Sequence, residues 1–259
     1  MKIDAIGLGK DFTLGAVGLP VLQNVNVSIA DGEFVCLLGP SGCGKTTFLR
    51  CVAGLDQPTR GTILLDGSPV RGPGPDRSMV FQDYALFPWY TVAQNIQFGL
   101  TTRRNCRRRR HDLADVTRDL VALVGLQGFE RAFPHQISGG MRQRVGIARA
   151  LAVDPGALLM DEPFAAIDAI TREALQQQLV DIWSRTQKTV LFVTHSVDEA
   201  AYLGDSVHVF GPRPATIHET VAIELPRPRD KTSPDFIAAV GQLRRSIDAA
   251  MHVANGAAP

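Results

Sequence analysis

Gly39 to Thr46 read G-P-S-G-C-G-K-T, a complete G-x-x-x-x-G-K-[ST] pattern, and residue types in that order can hold a polyphosphate. The glycines at 39, 42 and 44 permit a tight backbone path that turns successive N–H groups toward phosphate oxygens. Lys45 adds a mobile positive charge for the β- and γ-phosphates, and the Thr46 hydroxyl can ligate Mg²⁺. The nucleotide cradle predicted from this pattern runs through Gly39, Pro40, Ser41, Gly42, Cys43, Gly44, Lys45, Thr46 and Thr47. Phe34 to Leu38 before it is apolar, as a buried parallel strand requires. Lys45 to Ala53 after it reads as a helix that presents its positive end to the anion and stops at Gly54. A chain with this strand, loop and helix binds a nucleotide.

Two further segments carry chemistry. Ala157 to Glu162 is an apolar strand ending in two carboxylates, with Asp161 placed to hold the Mg²⁺ shell and Glu162 to polarise an attacking water as general base. Ile137-Ser138-Gly139-Gly140-Met141 opens a helix, and its N–H groups with the positive helix end form a second anion site. A phosphate loop alone leaves many ATPases and kinases open. The S-G-G segment set 23 residues before Asp161 narrows them.

The elements that must position these residues follow from pattern. Strands are predicted at Lys2 to Leu8, Val25 to Ile29, Thr62 to Leu65 (closed by the Asp66-Gly67 turn), Ser78 to Phe81, Ala157 to Met160 and Thr189 to Thr194. Pro69 to Asp76 reads as a loop. Between Thr91 and Ala152 the period is helical, with Leu113, Val116, Leu120 and Val124 on one face and a stop at Gly125. A helix is expected over Ala169 to Gln187. The tail after Pro226 begins with a P-R-P-R linker signal, continues as an amphipathic helix from Asp235 to about His252, and ends in seven frayed residues. Strand-helix blocks on both sides of a helical insertion imply an α/β fold with a parallel-sheet core.

Composition sets the limits. Hydrophobic residues at 45% and charged ones at 20% suit a soluble globular chain of 259 residues, and a net charge of +1 gives no reason to expect nucleic acid as a partner. No signal segment and no apolar run of about 18 residues is present, so the chain is expected in the cytoplasm, with any membrane-spanning work done by other chains. Cys36, Cys43 and Cys51 read as small buried fillers in a reducing compartment; Cys106 stands apart.

With those motifs in order, the sequence from about Lys2 to Arg229 resembles the ATP-binding subunit of an ABC transporter: a P-loop NTPase core with a mixed sheet and an inserted helical subdomain, about 91–152. Residues 230–259 would then be a C-terminal helical tail. The family's signature is usually L-S-G-G-Q, so Ile137 is a mild departure and Met141 a larger one, since it lacks the amide that glutamine offers near the ribose. The resemblance implies further site residues. Gln82 matches the loop glutamine that contacts Mg²⁺ and water and links to the transmembrane partner. Asp168, in Ala165-Ala166-Ile167-Asp168, matches the D-loop, and His195 the switch histidine at the γ-phosphate. Phe12, 27 residues before Gly39, matches the aromatic on which adenine stacks. It also implies the mechanism: ATP with Mg²⁺ glues two copies head to tail, each Ser138 segment closing over the other copy's phosphate loop. Hydrolysis releases them and drives permease subunits, which work with a substrate-binding protein, from the cytoplasmic face of the inner membrane. The permease is expected to dock near Phe87, Trp89 and Tyr90, residues that fit the core of a helical subdomain equally well.

Gly72 to Arg77, Met79 to Gln82, Leu86 to Trp89 and Gly211-Pro212-Arg213-Pro214 look like the nitrate, sulfonate and taurine importer branch. The solute itself is read on other chains. Arg103 to Arg110 contains six arginines, a solvated helix start or a contact for anionic lipid headgroups. A soluble ABC-type ATPase of DNA repair or translation is the alternative. Only 93 residues without sustained heptads separate Lys45 from Ser138, which argues against the coiled coil of the repair enzymes.

Overall fold

The structure is a computed structural model that describes residues 1–15, 17–101 and 110–256. The chain begins with β1 (Ile3–Leu14), β2 (Val17–Ile29), β3 (Phe34–Leu38), α1 (Lys45–Ala53), β4 (Arg60–Leu65) and β5 (Ser68–Pro69). It continues with β6 (Arg77–Val80), α2 (Val92–Thr101), α3 (Arg110–Leu123), a 3₁₀ turn (Pro134–Gln136), α4 (Gly139–Ala152), β7 (Ala157–Asp161) and α5 (Ala169–Thr186). It closes with β8 (Thr189–Thr194), α6 (Val197–Leu203), β9 (Ser206–Phe210), β10 (Ile217–Ala222) and α7 (Pro234–Gly256). These elements form two compact units, Met1–Pro73 with Thr189–Pro259, and Gly74–Lys188. Most of the Arg103 to Arg110 run, and Cys106 with it, lies outside the described residues.

In the first unit β1 and β2 make a long antiparallel hairpin, register Ile3↔Ile29 to Leu14↔Val17, and β4 pairs with the other edge of β1. The hairpin exceeds the two short strands expected. Its register shifts at three places along β1, near Gly7 and Gly9, and such bulges break the alternation by which a strand is read. The Asp66-Gly67 turn is as predicted: both residues are left-handed, φ 46 and 79, as a type I′ turn needs to join β4 to β5.

The second sheet of this unit is mixed. β8, β3 and β9 run parallel, and β10 returns antiparallel along β9. β3 and β8 are buried at every position, as the continuous apolar runs of parallel strands require. Phe34 and Phe192 meet across this pair, and Phe48 of α1 packs edge-on against Phe210 of β9. Cys36, Cys43 and Cys51 are buried free thiols around this core. Burial pushes the Cys51 thiol up to about 11, which leaves it unreactive.

The tail belongs to the same unit. α7 packs its Phe236, Val240 and Leu243 face against α6, β9 and β10, and it runs on through four of the seven residues expected to fray. The P-R-P-R segment is not a loose linker. Arg229 is 7% exposed and donates to the carbonyls of Ala201, Gly204 and Ile223, while Arg227 pairs with Asp205 and donates to Leu203. The guanidinium groups thus satisfy the free carbonyl end of α6.

The second unit joins the parallel pair β6–β7 to helices α2, α3, α4 and α5. In α3, Thr117 and Val121 are buried and Leu113, Val116 and Leu120 half-buried, the face its sequence period marks; Gly125 ends it at φ 64.

One core residue makes stability pH-dependent. His208 on β9 is 5% exposed; its Nδ1 lies 2.8 Å from Thr220 Oγ1, and its Nε2 is buried without a hydrogen-bond partner. Burial pushes the imidazole down to about 4, against a weaker pull upward from Glu33. The unfolded chain therefore binds this proton more tightly. The contribution is complete above about pH 6.5 and is lost as pH falls toward 4, a change on the order of 3 kcal/mol. Urea unfolding at pH 7 and pH 4.5 checks it. His208→Asn, which does not titrate, should lose distinctly less stability between those two conditions than the parent, and equal losses would remove His208 as the cause.

Candidate functional site

The phosphate loop leaves β3 at Leu38 and enters α1 at Lys45, as its sequence dictates. Gly39 and Gly44 take φ values of 157 and 124. A Cβ on Gly39 would lie 2.7 Å from the Phe210 carbonyl oxygen, and one on Gly44 would lie 3.0 Å from side-chain carbons of Val21 and Leu22. Only glycine fits either position. Gly44 is the N-cap of α1 and brings no side chain to it, so the first-turn amides of α1 get no side-chain cap. Lys45 is 4% exposed, and its Nζ donates to the carbonyls of Gly39 (2.8 Å) and Pro40 (2.9 Å). The ammonium is held inside the loop rather than in solvent.

β3 and β8 are hydrogen-bonded in parallel with Leu38 opposite Thr194, so Gly39 and His195 leave the sheet side by side. That carboxyl edge is where open α/β sheets take ligands. The turn at His195 is pinned. Thr194 Oγ1 donates to Glu199 Oε2 (2.7 Å) and accepts from the Ser196 amide (2.9 Å), and Ser196 caps α6 through the Glu199 amide. His195 itself is exposed.

The second unit repeats the arrangement. β6 and β7 run parallel with Val80 opposite Met160, which brings Gln82 and Glu162 out side by side just beyond Phe81 and Asp161. Glu162 has φ 43, a left-handed conformation that costs an L-residue about 1–2 kcal/mol. Exposed Gln82 is followed by two more left-handed residues, Tyr84 (φ 59) and Ala85 (φ 47). Arg149 of α4 clamps them, donating to the Tyr84 and Ala85 carbonyls at 3.0 and 2.6 Å. Ser138 is exposed and N-caps α4, its Oγ accepting from the Met141 amide at 3.2 Å. Gly140 has a packing reason of its own, since a Cβ there would lie 2.6 Å from Thr171 Cγ2 of α5.

Residues 22–165 match the family described as ABC transporter. An uncharacterized ABC transporter ATP-binding protein of Methanocaldococcus jannaschii is 52% identical over 92% of this chain and 88% of its own. The nitrate import ATP-binding protein NrtD of Synechocystis is 48% identical over 87% and 84%. An aliphatic sulfonates import ATP-binding protein, SsuB of Bacillus cereus, is 42% identical over 91% and 92%. The chain belongs to the ABC transporter family. It is an ATP-binding subunit and an ATPase with the P-loop NTPase fold. Among solved structures, a dimeric ATP-binding cassette in a post-hydrolysis state with ADP and Pi superposes with a TM-score of 0.76 at 29% identity, covering 86% of this chain and all of that one.

The remaining candidate residues of this ABC subunit sit as follows. Phe12 is 37% exposed on β1 with Lys10 Nζ 4.9 Å from its ring centroid. Asp168 N-caps α5, and the Thr171 amide it accepts (3.0 Å) holds its carboxyl below the usual range. Phe87, Tyr90 and Phe98 form one aromatic cluster with Trp89, which is 66% exposed. Phe87 and Tyr90 are half-buried, as subdomain core residues would be, and Trp89 is presented outward. Two contacts fall outside the predicted site residues: Arg149, whose carbonyl contacts lie 64 and 65 positions away, and Arg213, which donates to the Gly42 carbonyl at 2.9 Å. The only signal for Arg213 was the branch-like G-P-R-P.

Proposed function

We propose that this ATPase powers an importer of a small anion such as nitrate or a sulfonate, as one of two identical ATP-binding subunits docked on a separate permease. The observation that carries the reading is the near full-length identity with both nitrate and sulfonate import ATP-binding proteins. No helix among the described residues is long and apolar enough to cross a membrane; on the importer reading the subunit is peripheral, on the cytoplasmic face. The relatives named above are transporter subunits, which leaves the repair and translation alternative without support.

In this mechanism Lys45 and the loop amides bind the β- and γ-phosphates, and Phe12 stacks on the adenine. Among the described residues no three His, Cys, Asp or Glu side chains could hold a metal by themselves. Mg²⁺ asks for less, taking one or two carboxylates and completing its shell with phosphate oxygens and water. Thr46, Gln82 and Asp161 supply the hard oxygen donors it prefers. When bound, the ion neutralises charge on the phosphate oxygens. Glu162 accepts the proton of the attacking water, Gln82 orients that water, and His195 bonds the γ-phosphate. Ser138, Gly139 and Gly140 of the second copy close over the nucleotide head to tail, with Asp168 beside them, as a two-fold dimer requires. The outward Trp89 and its aromatic neighbours, a few residues from Gln82, meet the permease, which receives solute from a substrate-binding protein.

A chromosomal Lys45→Ala substitution tests the reading. It removes the charge that contacts ground-state phosphates, so nucleotide binding is lost and uptake with it. Growth on nitrate as nitrogen source, or on taurine or an alkanesulfonate as sulfur source, should fail for one solute class while ammonium and sulfate rescue it. Wild-type uptake of every one of these solutes would overturn the assignment.

A further inference from the structure

The turn from β9 to β10 meets the phosphate loop at two points and is anchored to β2 beside it. At its start, the Phe210 carbonyl lies against Gly39, leaving no room for a Cβ. Its neck is closed by the Gly211 amide on the Thr216 carbonyl at 3.0 Å. Its far side is stitched to β2: Ala215 donates to the Val21 carbonyl (2.8 Å) and accepts from the Gln23 amide (2.9 Å), and the side chains of Val21 and Leu22 are those that crowd Gly44. From this anchored turn Arg213 reaches the loop's midpoint, its Nη2 2.9 Å from the Gly42 carbonyl oxygen. The first and the middle glycine are therefore met by the turn itself, and the last by the strand to which the turn is stitched.

We infer that Arg213 is a positioning residue for the phosphate loop, acting through the Gly42–Cys43 peptide. A trans peptide is planar, so its carbonyl and its N–H point in opposite directions. A guanidinium that binds the Gly42 oxygen from outside turns the Cys43 N–H inward, toward the anion side, where the Pro40 carbonyl now meets it at 3.4 Å. Gly42 sits at φ 74 with no side chain to restrain it, and Arg213 holds its carbonyl. The charge matters as well. A carbonyl bound by a cation polarises its peptide and makes the N–H a stronger donor. The turn is continuous with β9, which pairs with β3, so loop geometry is set by the sheet rather than by the loop sequence alone.

The inference rests on the nucleotide-binding reading, and the test separates the two. The full-length protein, Arg213→Ala, Arg213→Lys and Lys45→Ala are compared for MgATP and MgADP dissociation constants, steady-state ATPase parameters, and amide hydrogen exchange over residues 40–46 without nucleotide. Arg213→Ala should weaken ATP and ADP alike by about ten-fold, the loss of one charge-assisted hydrogen bond, and raise KM by more than it lowers kcat. Exchange at the Cys43 amide should speed up in the same variant, a readout that needs no ligand. Arg213→Lys, with a donor and the charge retained, should recover most of both effects. Arg213 is exposed, and equal thermal midpoints certify the fold; if Arg213→Ala does not fold, Arg213→Gln takes its place. Dissociation constants within two-fold of wild type, with Lys45→Ala abolishing binding, overturn the inference and leave the function intact. A wild-type protein that binds neither nucleotide overturns both.

Discussion

Glu162→Gln should lower ATP turnover by about 10²–10⁴ while leaving nucleotide affinity intact, so that the protein accumulates as an ATP-bound dimer. The substitution isolates the chemistry. Glutamine has the size of glutamate and the same tolerance for the left-handed backbone at this position (φ 43), so the strain in the turn after β7 is unchanged. What is lost is an oxygen able to take a proton from water. Asp161 remains at the strand end, and so do Lys45 and the amides of α1, so ground-state binding has no reason to fall. The strain supports the assignment too. A non-glycine residue kept in a costly conformation marks a candidate functional position, and here the neighbouring strand delivers Gln82 to the same edge. Single-turnover ATPase assays with chromatography in the presence of MgATP give both halves of the result. A variant that hydrolyses ATP at near the parental rate would take the general-base role away from Glu162.

The candidate site is legible in the sequence because its parts are local. A phosphate loop states its own backbone path through Gly39, Gly42 and Gly44, and apolar runs ending in Asp161-Glu162 and in Thr194-His195 announce strands whose ends carry the candidate catalytic groups. What sequence pattern could not convey is which distant groups hold those residues. The pairing of Ala215 with Val21 and Gln23 joins residues about three-quarters of the chain apart, and nothing in G-P-R-P says that its arginine reaches Gly42. β9 was missed for a related reason. Its Ser206-Val207-His208-Val209-Phe210 run is short and carries a histidine in a position that is buried rather than exposed. Composition misled once, at Arg227 and Arg229. Proline and arginine usually mark solvated linkers, but the carbonyls at the end of α6, buried and without a partner in their own helix, give these guanidinium groups acceptors worth burying them for.

Ser138→Arg should abolish hydrolysis without weakening nucleotide binding to the same chain's phosphate loop. Ser138 lies at the start of α4, where its Oγ accepts from the Met141 amide. Losing that cap costs about 1 kcal/mol, too little to unfold the chain, while a bulky cation at the same point blocks the approach of a second copy's γ-phosphate. Met141→Gln, which restores the usual signature residue but touches neither the Ser138 hydroxyl nor the backbone amides, should change activity only a few-fold. The head-to-tail arrangement makes a sharper demand. In a mixed dimer of Ser138→Arg and Lys45→Ala chains, one composite site receives both defects and the other receives neither, whereas each mutant homodimer has a defect in both sites. Differently tagged chains, purified as the mixed species, should therefore recover hydrolysis approaching half the wild-type rate where both homodimers are inactive, provided that one intact site can turn over. Parental activity in Ser138→Arg homodimers that still assemble on ATP would show that the Ser138 segment does not close the site across the dimer.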